Sequence, residues 1–346
     1  MAEVQGQMAV STGVRFLGRS TWQRVLERAL LVLGLLAASC GAGAQGLKKA
    51  TLIPLWTPQA QFAGYYVGLD KGIFAKHGIA LEILPAGPGH SPIEALREGV
   101  ADFTILWLTT ALEHRCAGLP LVNLAQVIQR SSMLLVAKKS SGIRTVADLA
   151  DRKVGLWGGD LSIPPLALFA KYGITVREVR QSQTVDLFLR GGIDAASAMW
   201  YNEYHTILNA GLDPDELVVF AMNDHGLNFP EDGLYALEDT LDRDPALFSA
   251  FVRATGESWR YAFAHPEEAL DIVIAYIERA HLPANRVHQR WMLNRMRDLA
   301  LPAGPERFGA LSERDYQAVL EALPPARRAH GCPDYRSFVR RSDAPP

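Results

Sequence analysis

The sequence predicts an α/β fold built as two similar lobes, and three observations carry that expectation. Short β-branched or apolar runs alternate with helical patterns from Ala50 onward, several of the helical stretches close on a glycine, and the alternation runs through twice before the chain turns helical near Leu241. At 346 residues the chain has room for two domains of ordinary size with substantial cores.

In the first series the strands are expected at Ala50–Leu55, Ala80–Leu84, Phe103–Leu106 and Val122–Ile128, on a largely parallel sheet. Helices are expected at Gln61–Lys71, Pro92–Glu98 and Thr109–Ala117. Gly72, Gly99 and Gly118 follow them where a helix C-terminus favours a left-handed residue. The second series begins near Lys138. It reads helix Val146–Leu149, strand Lys153–Trp157, helix Pro164–Tyr172, strand Val176–Val179, helix Val185–Gly191, strand Ala195–Ala198, helix Tyr201–Ala210 and strand Leu217–Phe220. Helices at Asp244–Phe263, Pro266–Ile277 and Asn285–Leu299 then return to pack on the first lobe.

Ahead of this comes a segment of different character. Arg15, Arg19, Arg24 and Arg28 precede the apolar run Ala29–Ala38, and no acidic residue follows until Asp70. That is the order of an export signal, and the run is far short of the roughly 20 residues that span a bilayer. Ala42-Gly43-Ala44 offers a cleavage site, so residues 1–44 are expected to be a signal peptide and the mature protein to be periplasmic. Ala37-Ala38-Ser39-Cys40 loosely resembles a lipoprotein box, which leaves a lipid on Cys40 as the alternative.

Composition narrows the function classes. With 35 Lys+Arg against 37 Asp+Glu, the chain lacks the basic stripe that backbone-driven nucleic-acid binding requires. With 49% apolar and 21% charged residues it is far from the disordered range. Three cysteines make no disulfide framework, whether or not Cys116 and Cys332 pair, and no Cys-x-x-Cys or close His pair suggests a metal site.

The diagnostic stretch begins at Trp56-Thr-Pro-Gln59 and continues through Gly64-Tyr-Tyr-Val67 and Asp70-Lys-Gly-Ile-Phe74. There follow Leu84-Pro-Ala-Gly-Pro-Gly89, Gly99-Val-Ala-Asp102, Val146-Ala-Asp-Leu149, Trp157-Gly-Gly-Asp160, Tyr201-Asn-Glu203 and Phe229-Pro-Glu-Asp-Gly233. In this order the motifs resemble the substrate-binding proteins of ABC importers, specifically the thiamine-pyrimidine group within the type II periplasmic binding proteins, over about Thr51 to Leu299. The resemblance implies a two-lobed clamshell with two hinge crossovers, lobe 1 at 46–137 and 232–346, and lobe 2 inserted at 138–231. It implies a monomer that binds an aminopyrimidine thiamine precursor or related heteroaromatic ring, with an ABC permease and its ATPase as partners and no cofactor. Membrane contact would come only through the permease or a lipid on Cys40.

Ligands of open α/β sheets sit beyond the carboxyl ends of strands. Three of the seven tryptophans, Trp56, Trp107 and Trp157, end predicted strands, where each either stacks on a flat ring or caps the core. Gln59 and Gln61 start a helix, where amides and free N–H groups can pair with a ring or stay solvated; Tyr65 follows on the same helix. Gly89, His90 and Ser91 lead into Pro92 and Glu94, a Ser-x-x-Glu capping box whose N–H groups suit a ligand oxygen or simply cap the helix. Tyr201, Asn202 and Glu203 follow the Ala195–Ala198 strand. The Glu203 carboxylate can accept from an exocyclic amine and an adjacent ring N–H, or serve only the helix dipole. Asp232 lies at the second crossover and either binds ligand or stabilises the crossing.

An enzyme reading also exists, because the same fold includes a pyrimidine-precursor synthase that carries pyridoxal phosphate on a lysine and consumes its own histidine. Leu106 and Thr110 stand at those two positions, and no cysteine occurs near His225–Pro230, where its cysteine-rich motif would fall. Schiff-base chemistry needs a lysine amine. Hydrolase, zincin and nucleotide-loop motifs are missing too, and Glu113 and His114 read as solvated mid-helix residues. A third reading is a ligand-sensing domain for a membrane sensor, which would use the same closure.

Overall fold

The computed structural model describes residues 46–328 and 331–341, so the expected signal peptide and Cys40 lie outside the described residues. Among the described residues, ten strands form two five-stranded sheets. In the first sheet β1 (Lys48–Ile53), β2 (Ile79–Ile83), β3 (Phe103–Leu106) and β4 (Leu121–Gln126) run one way, and β10 (Gly233–Leu237) lies antiparallel between β3 and β4, in the order β2-β1-β3-β10-β4. The second sheet repeats the plan: β6 (Lys153–Leu156), β7 (Arg177–Arg180), β8 (Ala195–Met199) and β9 (Leu217–Ala221) run together, with β5 (Met133–Lys138) antiparallel between β8 and β9.

Neither antiparallel strand was expected. Each enters its sheet directly from the other lobe, without a preceding helix, so the strand–helix alternation that exposes the remaining strands is missing there. One boundary moves in consequence. Met133–Lys138 is hydrogen-bonded into the second sheet, so the first crossover is Val127–Ser132, upstream of the expected Ala137. The second crossover runs from Met222 to Asp232. β4 and β8 are buried at every position, as strands covered on both faces should be, and the polar side chains they bury, Asn123, Gln126 and Ser197, are hydrogen-bonded. Edge strand β7 instead carries Arg177, Glu178 and Arg180, charges that discourage a further strand from pairing.

The helix Ala63–Asp70 packs under the 20-residue helix Pro245–Ala264, and the Gly-Tyr-Tyr-Val-Gly motif accounts for how closely. A Cβ on Gly64 would stand 2.4 Å from the Trp259 indole, and one on Gly68 would stand 2.1 Å from Ser258 Oγ. These glycines let two helix backbones approach, and Phe251 of the longer helix stacks on Phe103 of β3 with ring centroids 4.0 Å apart. The C-terminal segment is fixed at several points. Cys116 is disulfide-bonded to Cys332, Arg340 N donates to Asn123 O at 2.9 Å, and Phe338 is fully buried. Closing a loop of 216 residues removes unfolded-chain entropy worth on the order of 5 kcal/mol in the chain-entropy account. No helix among the described residues is long and apolar enough to cross a membrane.

Candidate functional site

A cavity of about 560 Å³ opens between the carboxyl ends of the two sheets. Its first wall is built from Leu55 and Trp56 after β1, Gln59 and Gln61 in the turn that follows, Ser91–Ile93 at a helix start, and Leu106, Trp107, Thr110 and His114 around the end of β3. The second wall comes from Trp157, Asp160 and Leu161 after β6, Gln183 after β7, and Met199, Tyr201, Asn202 and Glu203 at the end of β8. Most lining segments lie at or just beyond a strand's carboxyl end or at a helix start, the position where open α/β sheets take ligands, whereas His114 comes from the last turn of the helix Leu108–Cys116.

Nine of the candidate residues line this space: Trp56, Gln59, Gln61, Ser91, Trp107, Trp157, Tyr201, Asn202 and Glu203. Four do not. Gly89 and His90 are exposed on a tight turn, closed by His90 N donating to Gly87 O at 3.0 Å, that carries them away from the cleft. Tyr65 is buried edge-on against Trp259 with centroids 5.9 Å apart. Asp232 is buried beneath Gln61, which donates to both its oxygens at 3.1 and 2.8 Å. The N–H groups expected to face the cleft at the first helix are also taken, Ala60 N by Gln289 Oε1 at 2.7 Å and Gln61 N by Met292 Sδ at 3.2 Å. Only half of the capping box forms: Glu94 N donates to Ser91 Oγ at 3.3 Å, while the Glu94 carboxylate turns to Arg97.

Glu203 is the most constrained of the lining groups. One oxygen accepts from Met199 N at 2.9 Å and the other from Asn202 Nδ2 at 2.8 Å. Its side chain lines the cavity, and desolvation outweighs those hydrogen bonds, pushing its pKa up to about 7. Each carboxylate oxygen carries two lone pairs, so both keep acceptor capacity beyond these two donors. Trp157 is held by its indole N–H donating to Ser182 O at 3.0 Å. The Trp107 indole N–H is buried and faces the Asp232 carboxyl group.

Reading strand ends alone missed His114, Asp160 and Gln183. His114 was expected in solvent but borders the cavity, where burial lowers its pKa. Asp160 closes the Trp-Gly-Gly-Asp motif and accepts from Thr110 Oγ1 across the cleft. Gln183 lies three residues beyond the end of β7, just past the positions read as strand ends. No lysine or arginine lines the cavity. Arg130 turns away to Asp224 at 3.4 Å, and Arg180 packs over Gly158 outside it.

The walls also touch beside the cavity. On the helix Arg286–Ala300, His288 Nε2 donates to Asn202 Oδ1 at 2.9 Å. Its Nδ1 lies 2.9 Å from His205 Nδ1. Trp291 Nε1 donates to Trp200 O at 2.9 Å, and the Arg295 guanidinium lies 4.6 Å from the Trp200 ring and 4.8 Å from the Trp291 ring. This cluster ties a helix that packs on the turn Ala60–Phe62 of the first lobe to the segment carrying Asn202 and Glu203. Among the described residues, no group of three or more His, Cys, Asp and Glu side chains could hold a metal ion.

Known proteins share this architecture. A formylaminopyrimidine-binding protein of Halalkalibacterium halodurans is 23% identical over 309 residues, 85% of this chain and 91% of its own. The riboflavin-binding protein RibY of Chloroflexus aurantiacus is 26% identical over 247 residues, 68% of each. A Legionella pneumophila protein named 4-amino-5-hydroxymethyl-2-methylpyrimidine phosphate synthase is 25% identical over 232 residues, 65% of this chain and 72% of its own. Among solved structures, the periplasmic aliphatic sulphonate binding protein SsuA of Escherichia coli superposes with a TM-score of 0.66 at 17% identity, over 85% of this chain and 92% of that one. The two lobes are those of the periplasmic binding protein fold. The NMT1/THI5-like family model matches residues 59–269, and with the glycine-packed helix, Trp107, Trp157 and Glu203 inside that span, the chain belongs to the NMT1/THI5-like family.

Proposed function

We propose that this protein is the periplasmic solute-binding component of an ABC importer, and that its cleft holds a small aminopyrimidine of thiamine-precursor type. The observation that carries this reading is the composition of the cavity: three indoles and the half-buried Glu203 carboxyl group, with no lysine or arginine among the lining residues. Anion binders need positive charge at the ligand, whereas a flat, weakly basic ring gains from stacking and from a carboxyl group. Glu203 and a ring nitrogen can share one proton, while the second oxygen accepts from the exocyclic amine. The formylaminopyrimidine-binding relative supports that ligand class. The Cys116–Cys332 disulfide supports an oxidising, extracytoplasmic location.

The synthase-like alternative finds no support in the cleft. Leu106 and Thr110 line it where that chemistry would need lysine and histidine. A second ligand reading has one specific observation behind it: about 560 Å³ exceeds what a single pyrimidine fills, and a riboflavin-binding relative exists. Calorimetric titration with 4-amino-5-hydroxymethyl-2-methylpyrimidine, riboflavin, taurine, nitrate and phthalate separates the readings. Tight binding of the aminopyrimidine is expected; binding of an anion with no pyrimidine response would reject the proposal, and riboflavin alone would replace the ligand class.

A further inference from the structure

We infer that Asp232 is a positioning residue that sets the hydrogen-bond polarity of the cleft, by holding the Gln61 amide with its nitrogen inward and its oxygen towards the ligand side. The inference rests on the reading that the cleft binds an N–H-bearing ring. Both residues are buried, at 2% exposure for Gln61 and 4% for Asp232. Gln61 Nε2 spans both Asp232 oxygens, and Gln61 Oε1 accepts from Gln59 Nε2 at 2.5 Å. An ionised carboxylate only accepts hydrogen bonds, so it leaves the amide one orientation. Seen from the cavity, the first wall therefore presents an acceptor oxygen, satisfied by Gln59 when no ligand supplies a donor.

With Glu203 on the opposite wall, the cleft offers acceptors from both lobes. The matching ligand carries N–H donors at two edges, and a ring with methyl groups there leaves those oxygens unpaired. A protonated Asp232 reverses the logic, because its O–H can donate to Gln61 Oε1 once the amide turns over, and an N–H then faces the cleft. Burial pushes the Asp232 pKa up to about 7, which brings this reversal into the neutral range. The groups facing Asp232 are Glu231 beside it, Tyr65, Tyr201 and Tyr235 from three packed elements, and the Trp107 indole. None of them is a cation that would hold it ionised.

The test begins without ligand. The Gln61 side-chain amide resonances are followed by nitrogen-15 NMR from pH 5.5 to 9 in the full mature protein. They are expected to titrate near pH 7, to be pH-invariant in Asp232→Asn, and to keep titrating in Glu231→Gln. Calorimetry at pH 8 then compares 2,4-diaminopyrimidine with its isostere 2,4-dimethylpyrimidine. The wild type is expected to prefer the diamino ring by about tenfold or more, Asp232→Asn to lose much of that preference, and Asp232→Glu to retain more of it. Gln61 resonances that ignore pH, or an undiminished preference in Asp232→Asn, would overturn the inference. If Asp232→Asn does not fold, the wild-type titration decides alone. Failure of every pyrimidine to bind would reject the proposed ligand class and leave the amide titration to judge Asp232.

Discussion

Glu203 is where the chemistry of the cleft is most concentrated, because a carboxyl group with two internal donors and a pKa near 7 can meet a weak base in either protonation state. Glu203→Gln turns half of the acceptor into a donor facing a donor. The aminopyrimidine affinity should fall by on the order of 1–3 kcal/mol, checked by calorimetry. The pair needs one proton between ring and carboxyl. Above about pH 7 binding must therefore take that proton from solvent, and the dissociation constant should rise towards tenfold per pH unit, a dependence the Gln variant should lack. Trp56→Ala should cost on the order of 1–3 kcal/mol of stacking while leaving the amino-over-methyl preference intact. The places of Trp56, Trp107, Trp157 and Glu203 along the cavity wall were legible in the sequence because strand ends mark where side chains enter a cleft. Tyr65 and His90 were misplaced because which way a helix or turn residue faces depends on packing partners far along the chain: Trp259 for Tyr65, and the turn closed at Gly87 for His90.

Among the elements, the helix Arg286–Ala300 links the two walls through His288 and Trp291. His288→Ala removes the hydrogen bond to Asn202, the neighbour that orients Glu203. Ligand affinity should drop about fivefold, the equivalent of one hydrogen bond near 1 kcal/mol, with little change in the amino-over-methyl preference. A comparable loss of that preference would instead place His288 in ligand contact. The strand Phe103–Leu106 matches its sequence expectation residue for residue, and the neighbouring parallel strands lie within a few residues of theirs. Their helix–glycine punctuation is local. β5 and β10 were not legible: β10 pairs with β3 and β4 more than a hundred residues earlier in the chain, and no local pattern announces such a pairing. The disulfide was illegible for the same reason, since spacing does not bring Cys116 and Cys332 together.

Across the whole molecule, two buried carboxyl groups, Glu231 and Asp232, and the half-buried Glu203 lie along the path between the lobes. Glu231 joins the two crossovers, accepting from Ser132 N at 2.6 Å and Ser132 Oγ at 2.7 Å, and burial pushes its pKa up, as it does for Asp232 and Glu203. A carboxyl group raised in the folded state binds its proton more tightly than in the unfolded chain. Its contribution to stability is complete below the ordinary carboxylate pKa and is lost as pH rises through the folded value. His288, lowered by burial to about 4, acts in the opposite sense, but its contribution is complete above its ordinary value. The melting temperature of the ligand-free protein should therefore fall between pH 6.5 and 8.5, and Glu231→Gln should flatten that slope in scanning calorimetry. A melting temperature that rises over this range would contradict the buried-carboxyl account.

The central claim is that the two lobes close on an aminopyrimidine held between them. Ligand that touches Trp56 and Gln61 on one wall and Trp157 and Glu203 on the other gains its full contact set only in the closed state, so binding shifts the population towards closure. Small-angle X-ray scattering of the mature protein with and without saturating 4-amino-5-hydroxymethyl-2-methylpyrimidine tests this most directly. A smaller radius of gyration with ligand is the predicted result, and an unchanged radius at demonstrated saturation would contradict it.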